Sequence, residues 1–265
     1  MKIFKHIAVT VVVLFFAAAC KKSENKKNDN ANIEFSVVTV VDEAENYTSD
    51  TTIYNVITIN YVEAKSNNPQ DTAVVSNINK DFFAWLSPFF LTNEKYMLTE
   101  DNIKDAIANE IKAFIEDINT DETLADCETC RYAEFSVDTC KLYQTDKIVS
   151  IAYNYYQYSG GAHGYSGFAT FNYDRQTAKS ITIDNLSTNI AELTTIAEKV
   201  FVQKNGDIKD FWFENEKFYL PNIFYFTETQ IVFYYSIYEI APYAAGNVTV
   251  EIDYNQVKNL VEYIQ

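Results

Sequence analysis

The sequence predicts an α+β fold, with antiparallel β-meanders and helices packed on one face. Two kinds of periodicity carry that prediction. Segments 52–63, 131–139 and 147–158 alternate with a period of two, while apolar residues in 71–86, 103–118 and 188–204 recur at helical spacing. Composition adds a third observation. With 20 Tyr and 19 Phe against 6 Gly and 4 Pro, the chain describes a packed body with few breaks. Tyrosine suits such strands because its ring packs while its hydroxyl finds a partner.

Residues 33–41 read as the first strand. In 52–63, Ile53, Asn55, Ile57, Ile59 and Tyr61 alternate with Tyr54, Val56, Thr58, Asn60 and Val62. Both faces are largely apolar, so this strand is expected at the centre of a sheet. A loop over 65–70 contains Pro69. Asp71 is the expected N-cap of a helix that buries Val74, Val75, Ile78, Phe82, Trp85 and Leu86 and stops or kinks at Pro88. Thr99 is the expected cap of a second helix, with Ile103, Ile107, Ile111, Phe114, Ile115 and Ile118 as its inner stripe. Its opposite face carries Lys104, Asp105, Glu110, Lys112, Glu116 and Asp117, the pattern of a solvated face.

From Arg131 the period becomes two. Segments 131–139 and 147–158 can pair as a hairpin across Gln144-Thr145-Asp146. Ser159-Gly160-Gly161-Ala162-His163-Gly164 then breaks the strand, and 165–173 forms another, turned by Asp174-Arg175-Gln176-Thr177. A short extended piece at 179–183 leads to a helix over 188–204. That helix is expected to turn Ile190, Leu193, Ile196, Ala197 and Val200 to the core and to stop at Gly206. Strands follow at 222–226, 230–237 and 247–252. A terminal helix over 255–264 carries Val257, Leu260, Val261 and Ile264.

The N-terminus gives an address. Lys2 and Lys5 precede an apolar run, 7–19, too short to span a bilayer and of the length of a signal-peptide core. It closes on Ala17-Ala18-Ala19-Cys20, which resembles a bacterial lipoprotein cleavage box with Ala17 in the place usually held by leucine. The expectation is removal of 1–19, lipidation of Cys20 and a polar tether over 20–32. An uncleaved anchor helix is the alternative, and the polar stretch directly after Cys20 argues against it. The roughly 235 residues that follow suffice for one large domain or two small ones, read as subdomains over 33–130 and 131–265. The expected location is the cell envelope, lipid-anchored, with the outer membrane favoured and its face left open.

Loss of Lys2 and Lys5 leaves 19 Lys and Arg against 37 Asp and Glu, a net charge of −18. Such a surface repels nucleic acid, whose phosphates demand a basic footprint. It favours solubility and speeds encounter with basic partners. Apart from Cys20, three cysteines remain, Cys127, Cys130 and Cys140, so one disulfide and one free thiol are possible in an oxidising compartment. Cys127-Glu128-Thr129-Cys130 has redox-motif spacing, yet no strand leads into it. Three thiols also lack a fourth ligand for zinc. Pairing of Cys140 with Cys127 or Cys130 as a local staple is the preferred expectation.

No cofactor and no metal site is expected. His163 is the one histidine left after removal of the leader, which excludes a histidine metal cluster. A Ser-His-Asp arrangement would have to combine it with Ser159 or Ser166. However, Gly164-Tyr165-Ser166-Gly167-Phe168 fails the nucleophile-elbow pattern at its fifth residue. The plainer reading is a histidine hydrogen-bonded inside a glycine-shaped loop. The functional reading has the loop line a groove, with Gly160, Gly161, His163 and Tyr165 as ligand contacts and Glu239 and Tyr243 as further candidates. Trp212, Phe211, Phe213, Phe218 and Tyr219 form an aromatic run that is either core or a surface for stacking on sugars or anchoring a protein.

Three segments occur in the order of a known family. They are Ser159 to Gly164 followed by Phe168-Ala-Thr-Phe-Asn-Tyr-Asp174; Ile181-Thr-Ile-Asp-Asn-Leu186; and Phe218-Tyr-Leu-Pro-Asn222 through Ile231-Val-Phe-Tyr-Tyr235 to Tyr238-Glu-Ile-Ala-Pro-Tyr-Ala-Ala-Gly246. Together they resemble the extracellular domain shared by the anti-sigma factor RsiV and the N-terminal module of the peptidoglycan deacetylase PdaC, over roughly 35–265. The resemblance implies cell-envelope work. In one branch the domain binds lysozyme, and in the other it accompanies a separate catalytic domain. What carries over is a binding module. The expected function is therefore a non-enzymatic envelope lipoprotein that binds a basic, lysozyme-like protein or a peptidoglycan fragment. An envelope hydrolase using His163 and a structural partner of another envelope protein are the alternatives. Oligomeric state is left open.

Overall fold

The structure, a computed structural model, describes residues 13–14, 33–47, 52–90, 97–120, 127 and 129–264. Cys20, the cleavage point and the tether lie outside the described residues. The chain divides into two compact units, Met1–Thr139 with Tyr155–Ser166, and Cys140–Asn154 with Gly167–Gln265. The α+β class holds.

In the first unit, β1 (Val13–Leu14) pairs antiparallel with β2 (Glu34–Tyr47), Val13 opposite Val38. β2 forms a long hairpin with β3 (Thr52–Lys65), in register from Glu34 opposite Lys65 to Tyr47 opposite Thr52. The alternation read in β3 is reflected in its burial. Asn55, Ile57, Ile59 and Tyr61 are buried while Tyr54 is exposed, and near the end Val62 and Ala64 are buried too. As its two apolar faces predict, β3 is central, flanked by β2 and by β4 (Glu134–Gln144).

The β3–β4 pair is parallel, with Val56 opposite Glu134 and Ile59 opposite Val137. A pure antiparallel meander is thus broken at one place. The cause is the crossover through α1 (Thr72–Leu86) and α2 (Ile103–Thr120), which returns the chain in the same direction. α1 buries Val74, Ile78, Phe82, Phe83 and Leu86, and the Tyr61 ring of β3 stacks on Phe82 at 5.0 Å. α2 buries its five isoleucines and packs against β2 and β3.

Two helix starts differ from expectation. Asp71 does occupy the N-cap, but its carboxylate accepts from the Ser66 hydroxyl at 2.9 Å and makes no cap bond to the helix. Before α2 the side chain that organises the turn is Asn102, accepting from the Thr99 N–H at 2.7 Å and donating to the Met97 carbonyl at 3.1 Å. α1 ends in a 3₁₀ turn, Ser87–Phe89, as Pro88 requires. There the Ser87 hydroxyl donates to the Phe83 carbonyl at 2.7 Å and accepts from the Leu98 N–H at 2.8 Å.

The disulfide corrects the expected pairing. Cys127 bonds Cys130 across a Cα separation of 5.3 Å, and Cys140 is left as a thiol. Local geometry decides this. Cys127 and Cys130 approach each other at a 3₁₀ turn, Thr129–Arg131, whereas Cys140 lies along β4 with its sulfur 3.3 Å from the Ala152 carbonyl oxygen. So short a loop removes little chain entropy. The Cys127→Ser/Cys130→Ser double variant is expected to lose no more than about 2 kcal/mol, checked by urea denaturation.

The second unit holds the rest of β4, most of β5 (Ile148–Tyr158) and β6 (Tyr165–Asp174), and a separate antiparallel sheet. That sheet comprises β7 (Phe224–Phe226), β8 (Gln230–Tyr235) and β9 (Val248–Asp253). The β4–β5 turn is closed by the Thr145 N–H to the Ile148 carbonyl at 2.9 Å, and the buried Arg175 holds the Thr145 carbonyl at 3.0 Å. α3 (Ile190–Asn205) is capped by the Asn189 side chain, which accepts from the Glu192 N–H. It stops at Gly206, whose φ of 104° is a conformation that suits glycine. Its buried stripe is Leu193, Ala197 and Phe201. Ile190, expected inside, is 41% exposed: it is in phase with that stripe but lies in the first turn of the helix.

The extended piece at 179–183 makes a single bridge, Tyr173 opposite Ser180. The terminal helix is one turn, α4 (Tyr254–Val257), set by an Asp253/Gln256 capping box. The N–H groups of Leu260 and Val261 both return to the Val257 carbonyl, so the chain curls and buries Val257, Leu260 and Val261 without a longer helix. A buried polar relay joins β5, β6 and β7. The Ser150 hydroxyl donates to Asn172 Oδ1 at 2.6 Å, Asn172 Nδ2 donates to the Phe224 carbonyl at 2.7 Å, and the Phe226 N–H donates to the Ser150 oxygen at 3.0 Å.

Candidate functional site

The residues singled out in the sequence fall in both units. Gly160, Gly161, His163 and Tyr165 belong to the first, and Glu239 and Tyr243 to the second.

In the first unit the glycine loop follows β5. Gly160 and Gly161 have φ of 93° and 98°, and a Cβ at Gly161 would meet nothing within 4 Å. Backbone conformation, not crowding, thus demands glycine there. The Tyr158 hydroxyl donates to the Gly161 carbonyl at 2.8 Å and holds the loop over the strand end. His163 is exposed, with Nδ1 3.0 Å from the Gly164 carbonyl oxygen, a contact in which Nδ1 carries the proton. Gly164 is buried against Tyr156, whose ring would lie 2.4 Å from a Cβ at that position. The Tyr165 ring lies 6.0 Å from Tyr155, which packs edge-on against Trp85 and Phe89. Burial, reinforced by Tyr165, pushes the Tyr155 hydroxyl up to about 12.

In the second unit the chain leaves β8 through Ser236-Ile237-Tyr238-Glu239. The Glu239 N–H donates to the Ser236 carbonyl at 3.0 Å, and Glu239 Oε2 accepts from the Ser236 N–H at 2.7 Å. Its other oxygen accepts from the Tyr219 hydroxyl at 3.1 Å. Glu239 therefore caps backbone and orients a tyrosine. Burial, then the Glu239 charge, pushes the Tyr219 hydroxyl up to about 12. Tyr235 donates to the Tyr219 carbonyl from below at 2.5 Å. Replacing Glu239 by Ala orphans the Ser236 N–H, and a loss of about 1–2 kcal/mol is expected in denaturant unfolding.

Around that turn the aromatic run divides. Phe213 and Phe218 are core, each 5% exposed, while Trp212 is 55% and Tyr219 40% exposed. The Trp212 N–H is tied to the Ile240 carbonyl at 2.8 Å, and Tyr238 pairs with Tyr243 at 5.7 Å. Trp212, Tyr219, Tyr238 and Tyr243 thus present four exposed rings, all fastened to the single segment 236–243. Phe213 and Tyr235 pack edge-on against the Tyr219 ring at 5.5 and 5.8 Å. Sequence reasoning missed Tyr238. It holds a φ of 68° although it is not glycine, and nothing in the residue order announces that strain. Among the described residues no group of three His, Cys, Asp or Glu side chains could hold a metal ion, and no helix is long and apolar enough to cross a membrane.

The geometry is that of an α+β body with exposed aromatic rings on its second unit, and comparison with known proteins places the fold. Residues 48–166 match the family model described as Deacetylase PdaC, and residues 179–255 match the model described as Protein of unknown function (DUF3298). The chain carries a PdaC-like region followed by a DUF3298-like region, the pairing its sequence resembles. A DUF3298 family protein from Bacteroides fragilis superposes with a TM-score of 0.69 at 19% identity, covering 87% of this chain and 94% of that one. A DUF3298 family protein from Pseudomonas aeruginosa gives 0.57 at 15% identity, with the same coverages. These likenesses establish the fold. No curated protein matches the chain.

Proposed function

We propose that this chain is a non-enzymatic envelope lipoprotein, anchored through Cys20, whose DUF3298-like half binds a basic, lysozyme-like protein. The observation that carries this reading is the set of four exposed rings held by segment 236–243. Large, rigid aromatics on a fixed backbone are the side chains that dominate protein interfaces, and they lose little entropy on binding. The net charge of −18 left after removal of residues 1–19 would draw a basic partner to them. A second reading keeps the same surface and replaces the partner by a peptidoglycan fragment, since exposed Trp and Tyr rings also stack on sugar faces.

Salt separates the two. The leaderless chain would be titrated with c-type lysozyme and with isolated sacculi at low and moderate ionic strength. The protein-partner reading expects saturable lysozyme binding that weakens several-fold as screening rises. Sacculus binding that ignores salt supports the glycan reading. Failure of both ligands to bind overturns the assignment.

A further inference from the structure

A cleft in the first unit carries a polar group that the fold does not use. It is walled by β3, the 3₁₀ turn after α1, α2, the start of β4 and the end of β5, and encloses about 80 Å³. Its lining is dominated by Phe89, Phe90, Ile111, Phe114 and Phe135, and the Phe89 and Phe90 rings lie 5.1 and 5.2 Å from Phe135. Into this apolar wall β3 places Asn55, which is 1% exposed. Asn55 Oδ1 accepts from the Ala133 N–H at 2.7 Å, which fixes the amide orientation because only the oxygen can accept. The amide nitrogen, Nδ2, is buried and has no hydrogen-bond partner among the described residues.

A buried amide donor without an acceptor is rare in folded proteins and calls for an explanation. A β-branched or apolar residue at 55 would suit a central strand better than Asn. The side-chain bond of Asn55 goes to the Ala133 N–H, and the carbonyl of Ala133 takes the neighbouring Val56 N–H at 3.1 Å. At the same cleft lies Glu110, half-buried on α2, whose carboxylate is an acceptor on a residue that lines the same volume as Asn55. Burial first, and then Asp117, raises the affinity of its carboxyl for a proton.

We infer that this cleft is a binding site for a small N-acyl group. The acyl oxygen takes the free Asn55 N–H, the acyl carbon chain packs on the phenylalanines, and the ligand N–H faces Glu110. An N-acetylated sugar and an N-acetylated amino acid both carry that group. The site belongs to the first unit, and its existence does not depend on the aromatic surface of the second.

The test uses the leaderless chain and isothermal titration with three probes: N-acetylglucosamine, N-acetylalanine methylamide and glucose. An acetamido probe is expected to bind saturably with a dissociation constant at or below about 1 mM, and glucose not to bind. Binding of the sugar alone assigns a glycan source, and binding of the amino acid amide alone assigns a peptide source. Two variants locate the site. Asn55→Asp keeps the acceptor for Ala133 and removes the donor, and Ala133→Leu fills the cleft while leaving that backbone N–H in place. Each is expected to weaken binding at least tenfold, with far-UV circular dichroism confirming the fold, and Ala133→Leu decides the matter should Asn55→Asp not fold. Equal binding of glucose, binding unchanged in the folded variants, or no binding by either acetamido probe would overturn the inference.

Discussion

Replacing Phe201 by Ala is expected to cost about 3–5 kcal/mol. Phe201 is fully buried at the centre of the second unit, where one face of α3 meets the β7–β9 sheet and the aromatic segment. Its ring packs edge-on against Phe211 at 4.9 Å, Phe213 at 5.4 Å and Tyr235 at 6.1 Å, and lies 5.4 Å from Phe218. Truncation removes the transfer free energy of a whole ring and leaves a cavity lined by stiff aromatic neighbours that cannot collapse into it. In urea denaturation the midpoint should fall with little change in slope. Ile190→Ala on the same helix should stay within about 0.5 kcal/mol, because that side chain is largely in solvent. A small loss at Phe201 would show that α3 does not seat where described.

The second large effect is expected at Asn172. Substitution by Ala deprives the Ser150 hydroxyl of its acceptor and the Phe224 carbonyl of its donor, both in a buried setting. Two orphaned groups at about 1–3 kcal/mol each predict a loss of roughly 3 kcal/mol. Ser150→Ala should cost a similar amount, roughly 3 kcal/mol, because it leaves both the Phe226 N–H and Asn172 Oδ1 without their partner. Because the two side chains share one bond, the double variant should fall short of the sum by about 1 kcal/mol. Additive losses would mean that the relay does not act as a unit. The contrast is the Lys204–Glu251 pair between α3 and β9, at 2.9 Å. Both partners are close to half exposed, and Lys204→Ala should cost under about 1 kcal/mol.

Much of the fold was legible because periodicity is a direct consequence of burial. The isoleucines of α2 and the alternating residues of β3 face inward as their spacing requires. Elements that depend on distant partners were not legible. The parallel β3–β4 pairing follows from where the crossover lands, and no local pattern encodes it. The terminal helix reads as ten residues by its apolar spacing, yet the N–H bonds to the Val257 carbonyl curl it after one turn. The spacing in 188–204 points to Ile190 as readily as to Phe201, since an apolar residue at a helix start looks the same whether or not a neighbour covers it. The disulfide depended on separations that sequence does not contain.

The candidate surface divides in the same way. Sequence marked Tyr243, Glu239 and the aromatic run 211–219 as residues of interest. Tertiary structure was needed to show that Trp212 and Tyr219 face water while Phe213 and Phe218 do not, and that Glu239 holds the turn that presents them. Asn55 read simply as one residue on a strand face. Its unpaired amide nitrogen becomes visible once the neighbours are placed.

The claim that the rings held by segment 236–243 form the working surface is most directly tested by one comparison. The affinity of the leaderless chain for c-type lysozyme and for sacculi would be measured beside that of a Trp212→Ala/Tyr243→Ala variant. Both side chains are exposed, so the unfolding midpoint should hold while affinity for the bound ligand falls more than tenfold, the loss of a hot-spot pair. Undiminished binding by a folded variant would contradict the account and place the ligand elsewhere on the chain.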